Sequence, residues 1–153
     1  PESYQFIQEH QVSKIVCQVM KKHQNHVDIQ RDGCAILSNA AIDQTSQLVS
    51  SSCDLEIETI VAALKAHSVD PAVLGTGCLA LKNYTSASDE QDLCFSLAAF
   101  PEISDLLRYA VDRRLGNANF VSDASVVLRR FAKVAATQRE LISRFSRLGV
   151  SDT

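Results

Sequence analysis

Residues 29–41 read Ile29-Gln30-Arg31-Asp32-Gly33-Cys34-Ala35-Ile36-Leu37-Ser38-Asn39-Ala40-Ala41, and residues 73–85 read Val73-Leu74-Gly75-Thr76-Gly77-Cys78-Leu79-Ala80-Leu81-Lys82-Asn83-Tyr84-Thr85. A shift of 44 positions puts Gly33 on Gly77, Cys34 on Cys78, Leu37 on Leu81 and Asn39 on Asn83. The same shift carries Val16, Met20, Lys21 and His23 onto Ile60, Leu64, Lys65 and His67. A third copy lies 47 positions further on, where Ile60 and Leu64 map to Leu107 and Val111, and Gly77, Cys78 and Leu81 map to Ala124, Ser125 and Leu128. Small and apolar residues that agree in one register over two segments mark a repeated unit, one that buries its apolar face only by stacking on its neighbours.

Working outward, the apolar spacing within each copy is helical. Val12, Val16, Val19 and Met20 follow the i, i+3, i+4, i+7 rule, as do Ile57, Ile60, Val61 and Leu64. Asp70-Pro71 supplies a cap and a first-turn proline, Pro101 opens the helix of Leu106 and Leu107, and Asp28 and Asn119 occupy the matching cap positions. Short apolar segments fall between copies, Leu48-Val49 after the first and Leu93, Phe95 and Leu97 after the second. Each unit therefore reads as one short helix followed by two longer ones. The expected helices are 3–9, 12–24, 28–42, 45–52, 55–67, 71–85, 89–98, 101–114, 119–135 and 137–148. The fold expectation is an all-α solenoid with units at about 1–43, 44–87 and 88–136, and a partial fourth at 137–153. Gly33, Gly77 and Ala124, with Cys34, Cys78 and Ser125, recur at one helical step and are expected where helices cross closely.

Composition agrees with that class. The 153 residues are 46% hydrophobic and 22% charged, with a net charge of −3, which is globular rather than disordered. Three Pro and five Gly leave room for long helices, and with no Trp and 6% aromatics the core must be aliphatic. No apolar run approaches the roughly 18 residues of a membrane span. The start Pro1-Glu2-Ser3-Tyr4-Gln5-Phe6 lacks the basic and apolar regions of a signal peptide, and Pro1 in place of an initiator Met suggests an excised piece. The five cysteines, Cys17, Cys34, Cys53, Cys78 and Cys94, include no CxxC pair, so they are expected as buried reduced thiols in a cytosolic or nuclear protein.

At this point the string 29–41 and its copy 73–85 resemble the third-helix signature of armadillo repeats, with a two-helix HEAT-like unit as second choice. The resemblance implies a right-handed superhelix whose third helices line a concave groove for an extended peptide or a partner protein. In that family an Asn on the third helix hydrogen-bonds the bound peptide's backbone. Asn39 and Asn83 occupy that position here, and Arg130 does so in the third unit. An amide suits the role because it offers a donor and an acceptor to any peptide bond. Importin-type repeats carry Trp one turn earlier, where this chain has Ala35, Leu79 and Val126. Without Trp no aromatic pocket can hold a lysine stem, so a nuclear-localisation-signal receptor is not expected. The groove is expected to be apolar near Leu79 and Val126 and basic near Arg129, Arg130 and Lys133, fitting acidic residues beside apolar anchors.

Charge is divided along the chain. Residues 1–107 carry six basic and fourteen acidic residues, giving −8, while 108–153 carry nine basic and four acidic, giving +5. The pI of 5.8 and the absence of interleaved aromatics speak against nucleic acid as the partner of Arg108, Arg113, Arg114, Arg129 and Arg130. His23 and His67 are repeat-equivalent and suit helix C-termini. Neither they nor His26 shows a metal-ligand spacing, so no metal or cofactor is expected. No nucleophile elbow or phosphate loop is present, Gly75-Thr76-Gly77 lies within a helical pattern, and Cys34 and Cys78 are duplicates rather than a unique nucleophile. The expected function is a non-enzymatic protein-interaction scaffold; the alternative is a regulatory or self-association domain of a larger signalling protein. The tail Gln138 to Leu148 reads as the first helix of a fourth unit whose Leu141, Ile142, Phe145 and Leu148 await a partner. Uncapped ends of this kind favour homo-oligomers.

Overall fold

The computed structural model describes residues 2–44, 53–87 and 99–147, to which every structural statement below refers. Six helices and no strand lie among the described residues: α1 (Glu2–Lys22), α2 (Val27–Gln44), α3 (Asp54–Ala66), α4 (Pro71–Ala87), α5 (Glu102–Asp112) and α6 (Ala118–Arg147). The expected short helices at 45–52 and 89–98 lie outside the described residues, as do Cys94 and Leu148.

Two expected boundaries are corrected. Helices 3–9 and 12–24 are a single α1, and helices 119–135 and 137–148 are a single α6 of 30 residues. The physical reason is local. His10-Gln11 and Ala136-Thr137 contain neither Gly nor Pro, so nothing interrupts the hydrogen-bond ladder. Residues 138–147 are thus continuous with the preceding helix.

The ends follow their chemistry. Asp70 Oδ1 accepts hydrogen bonds from the Ala72 and Val73 backbone amides, each 3.0 Å, just ahead of Pro71. At α6 the cap is Asn117, not the expected Asn119: Asn117 Oδ1 accepts from Phe120 N at 2.9 Å. Asp28 sits inside the first turn of α2 and pairs with Arg31 at 2.8 Å. Gln30, which is buried, donates to the Met20 and His23 carbonyls at 3.0 and 2.9 Å and so closes the end of α1. At the end of α5, Arg114 takes φ 55° while its amide bonds the Val111 carbonyl and Leu115 N bonds Ala110 O, each at 3.0 Å.

Consecutive helices pair, α1 with α2, α3 with α4 and α5 with α6. The pairs then stack, because α2 packs on α4 and α4 on α6, while α1 packs on α3 and α3 on α5. One layer therefore holds α1, α3 and α5, and the other holds α2, α4 and α6. The core runs continuously between them through Cys17, Met20, Leu37, Ile60, Leu64, Leu81, Tyr84, Leu107, Phe120 and Val127. The expected crossings are present in the first two pairs. A Cβ on Gly33 would meet Met20 Sδ at 2.5 Å, and one on Gly77 would meet Leu64 Cδ2 at 2.8 Å. Cys34, Cys78 and Ala124 are fully buried as well. Ser125 is exposed and bonds its own helix at the Val121 carbonyl, since no described helix lies beyond α6 to cover it.

Candidate partner-binding face

The layer of α2, α4 and α6 is held by side chains that repeat from one junction to the next. Asn83 Nδ2 of α4 donates to Ser38 Oγ at 2.9 Å and to the Ser38 carbonyl at 3.3 Å on α2. Arg130 of α6 donates to the Lys82 carbonyl, to Thr85 Oγ1 and, at 2.8 Å, to Ser86 Oγ on α4. Ser38 and Lys82 are themselves 44 positions apart, as the repeat requires. Asn83 and Arg130 thus each reach the preceding helix at the same step. A guanidinium substitutes for the amide because its fork spans several acceptors at once. Lys82 Nζ adds an ion pair to Asp123 of α6 at 2.6 Å, with the carboxylate mostly buried.

These contacts decide which expected groove residues are available. Asn83 and Arg130 bond neighbouring helices of their own chain, whereas Asn39 is exposed. One turn earlier on each helix, Leu79 is exposed and Ala35 and Val126 are half-buried. These three positions are repeat-equivalent on helices α2, α4 and α6, which pack in that order. Lys133 is exposed one turn after Arg129. Gly75, one turn before Leu79, has open space where a Cβ would stand, so the middle of this face is shallow and smooth. At its other end the face is acidic, with exposed Asp28 and Asp32 bridged by Arg31 at 2.8 Å each. Arg31 holds Asp32 below the ordinary carboxylate range.

Sequence reasoning missed Gln30, which donates through its side-chain amide, Ser38, which accepts at its hydroxyl and carbonyl, and Lys82, which accepts at its carbonyl and pairs with Asp123 through Nζ. The available signal was position: Ser38 and Lys82 immediately precede the repeated Asn39 and Asn83. Only backbone geometry shows that the amide turns toward its neighbour.

His67, at the end of α3, has Nε2 2.7 Å from the Gln24 carbonyl, and His23 meets His26 edge-on with ring centroids 5.7 Å apart. Among the described residues no three His, Cys, Asp or Glu side chains converge as a metal site, and no helix is long and apolar enough to cross a membrane. The cleft between α1, α2 and α3, lined by Met20, Gln30, Thr59 and Ala63, holds about 10 Å³, room for about one water. Burial pushes the Cys34 and Cys78 thiols up to about 12, which removes them as nucleophiles near neutrality. No protein-family profile, curated protein or solved structure matches this chain.

Proposed function

We propose that this chain forms an armadillo-type solenoid that works as a protein-interaction scaffold, binding an extended peptide or partner segment across the exposed face of α2, α4 and α6. One observation carries it. The same interhelical contact recurs at both junctions of that layer, Asn83 to Ser38 and Arg130 to Lys82, and a repeated contact builds a regular, extended face. Such a face repeats its chemistry along one direction, which suits an extended ligand.

The roles within the face are redistributed. Asn83 and Arg130 hold the scaffold in place, and recognition falls to Leu79, Lys133 and the shallow Ala35 and Val126 positions. The ligand chemistry is an apolar anchor at Leu79 followed by acidic residues toward Arg129 and Lys133. The test is partner capture from cell extract with the wild-type chain, then calorimetric titration of each captured partner against Leu79→Asp. A loss of about tenfold or more in affinity is expected, because a charge at the centre of an apolar contact is desolvated without a partner. Unchanged affinity of every partner for Leu79→Asp overturns the assignment.

A further inference from the structure

The two junctions show which positions of each unit a preceding unit covers. On α3 these are Glu56, Thr59 and Ala63, and on α4 Ala80, all buried. In the third unit, 47 positions on, Ile103, Ala110 and Val127 are fully buried and Leu106 is half-buried. Moving back 44 positions from the second unit gives Val12, Ile15, Val19 and Ile36 of the first. These four are 47%, 57%, 44% and 45% exposed. The uncovered row is wholly aliphatic, while its covered counterpart on α3 contains Glu, Thr and Ala. Asn39, equivalent to the bonded Asn83, stands on the same side and is exposed. A face built this way has the form of a junction, not of a solvated cap.

Charge identifies what fits it. At internal junctions a lysine of the earlier unit meets an acid of the later one: Lys21 with Glu58 at 3.7 Å, Lys65 with Glu102 at 2.9 Å, and Lys82 with Asp123 at 2.6 Å. On the open face the position equivalent to Glu102 is the neutral Gln11 and the position equivalent to Glu58 is Lys14, while the position equivalent to Lys21 and Lys65 at the α5–α6 end is Asp112. At Lys14 and Asp112 the signs are reversed, so a further unit with lysine there would set like charges together, whereas the chain's own far end sets Asp112 against Lys14. The second pair keeps its normal sense: Arg129 at the far end is equivalent to Lys82, and Asp32 on the open face is equivalent to Asp123. Lys14, Asp112, Asp32 and Arg129 are all exposed.

We infer that the open face of α1 and α2 is a self-association site that receives the α5–α6 end of a second copy, head to tail. The inference rests on the repeated-unit reading proposed above and extends it to a specific partner. The interface continues the internal stacking, with Val12, Ile15, Val19 and Ile36 covered and Asn39 donating to the carbonyl at Arg129 as Asn83 does at Ser38. Because the two surfaces differ, the contact is heterologous and propagates until one end is blocked.

The experiment is sedimentation equilibrium of the full chain over a wide concentration range, with circular dichroism on every variant. The wild type is expected to form dimers and longer species, and Ile15→Glu and Asp112→Lys each to weaken association about tenfold. Lys14→Glu combined with Asp112→Lys in one chain is expected to restore it; both positions are exposed, so folding is unaffected. An equimolar mixture of Ile15→Glu with Asp112→Lys is expected to stop at a dimer, since each copy retains one competent end. A monomeric wild type at every concentration overturns the inference, as does association that Asp112→Lys leaves untouched, which would indicate a symmetric contact of two α1–α2 faces. Either result leaves the scaffold reading standing, because Leu79→Asp tests a different face.

Discussion

The side chain of Leu64 fills the space that a Cβ on Gly77 would need, approaching that position to 2.8 Å. Met20 stands in the same relation to Gly33, 44 residues earlier on each helix. Large against absent side chain sets how closely α1 approaches α2 and α3 approaches α4. Gly77→Val therefore overpacks a buried contact and is expected to destabilise the chain by about 2 kcal/mol, even though valine is the better helix former. Adding Leu64→Ala should recover part of that loss, because the small and large positions have been exchanged. Urea denaturation of the two single variants and the double variant measures the coupling, and strictly additive losses would show that the two residues do not share one space.

Much of the architecture was readable because it rests on apolar periodicity and recurrence. The register that joins Gly33 to Gly77 and Met20 to Leu64 is a property of residue type, and the packing preserves it. What was not readable depends on direction. Nothing in the residue types tells whether Asn83 points to a ligand or to Ser38, since an amide satisfies either, and Arg130 conceals the equivalence by changing the chemistry while keeping the contact. The merged α1 and α6 were missed for a related reason. A short polar stretch such as His10-Gln11 resembles a break between helices, but without Gly or Pro the backbone has no cause to leave the helix.

If Asn83 and Arg130 bind the scaffold together, their loss should appear as stability. Arg130→Met keeps the aliphatic stem and removes the donors to Lys82, Thr85 and Ser86. A cost of about 1–2 kcal/mol is expected, since the guanidinium is only part-buried and water replaces some of what is lost. Asn83→Ala should cost about 1 kcal/mol through Ser38. The two act at different junctions, so their combined effect on the denaturation midpoint should be nearly additive. Full stability of both variants alongside lost partner affinity would return these side chains to the role of ligand readers.

Arg114 offers a stabilising change. It closes α5 with φ 55°, a left-handed conformation that costs a side-chain-bearing residue about 1 kcal/mol and glycine almost nothing. Arg114→Gly is expected to raise stability by about 0.5–1 kcal/mol after allowance for the added freedom of the unfolded chain. Arg114→Ala, which keeps the Cβ, should gain nothing, and that contrast separates backbone strain from loss of the charge. Thermal melts of the three chains decide it; equal melting temperatures for the Gly and Ala variants would remove strain as the cause.

The buried thiols couple stability to alkaline pH. Desolvation raises Cys34 and Cys78 from 9.0 to about 12, with Asp123 adding to the effect at Cys78. The folded chain thus holds these protons more tightly than the unfolded chain. Their contribution is whole below pH 9 and falls as the pH climbs toward 12, with a slope of at most about 1.4 kcal/mol per pH unit for each thiol. Replacing both by alanine removes that slope, so the difference in unfolding free energy between wild type and Cys34→Ala/Cys78→Ala should stay constant from pH 7 to 9 and shrink above it. Using the difference cancels the lysines and tyrosines that titrate over the same range. Thiol labelling at pH 8 with peptide mapping supplies the kinetic counterpart. Half-buried Cys53, raised to about 11, should react before Cys34 and Cys78, whose labelling should wait on opening of the α2–α4 contact. Rapid labelling of Cys34 in the folded chain would mean that this contact opens far more readily than its burial implies.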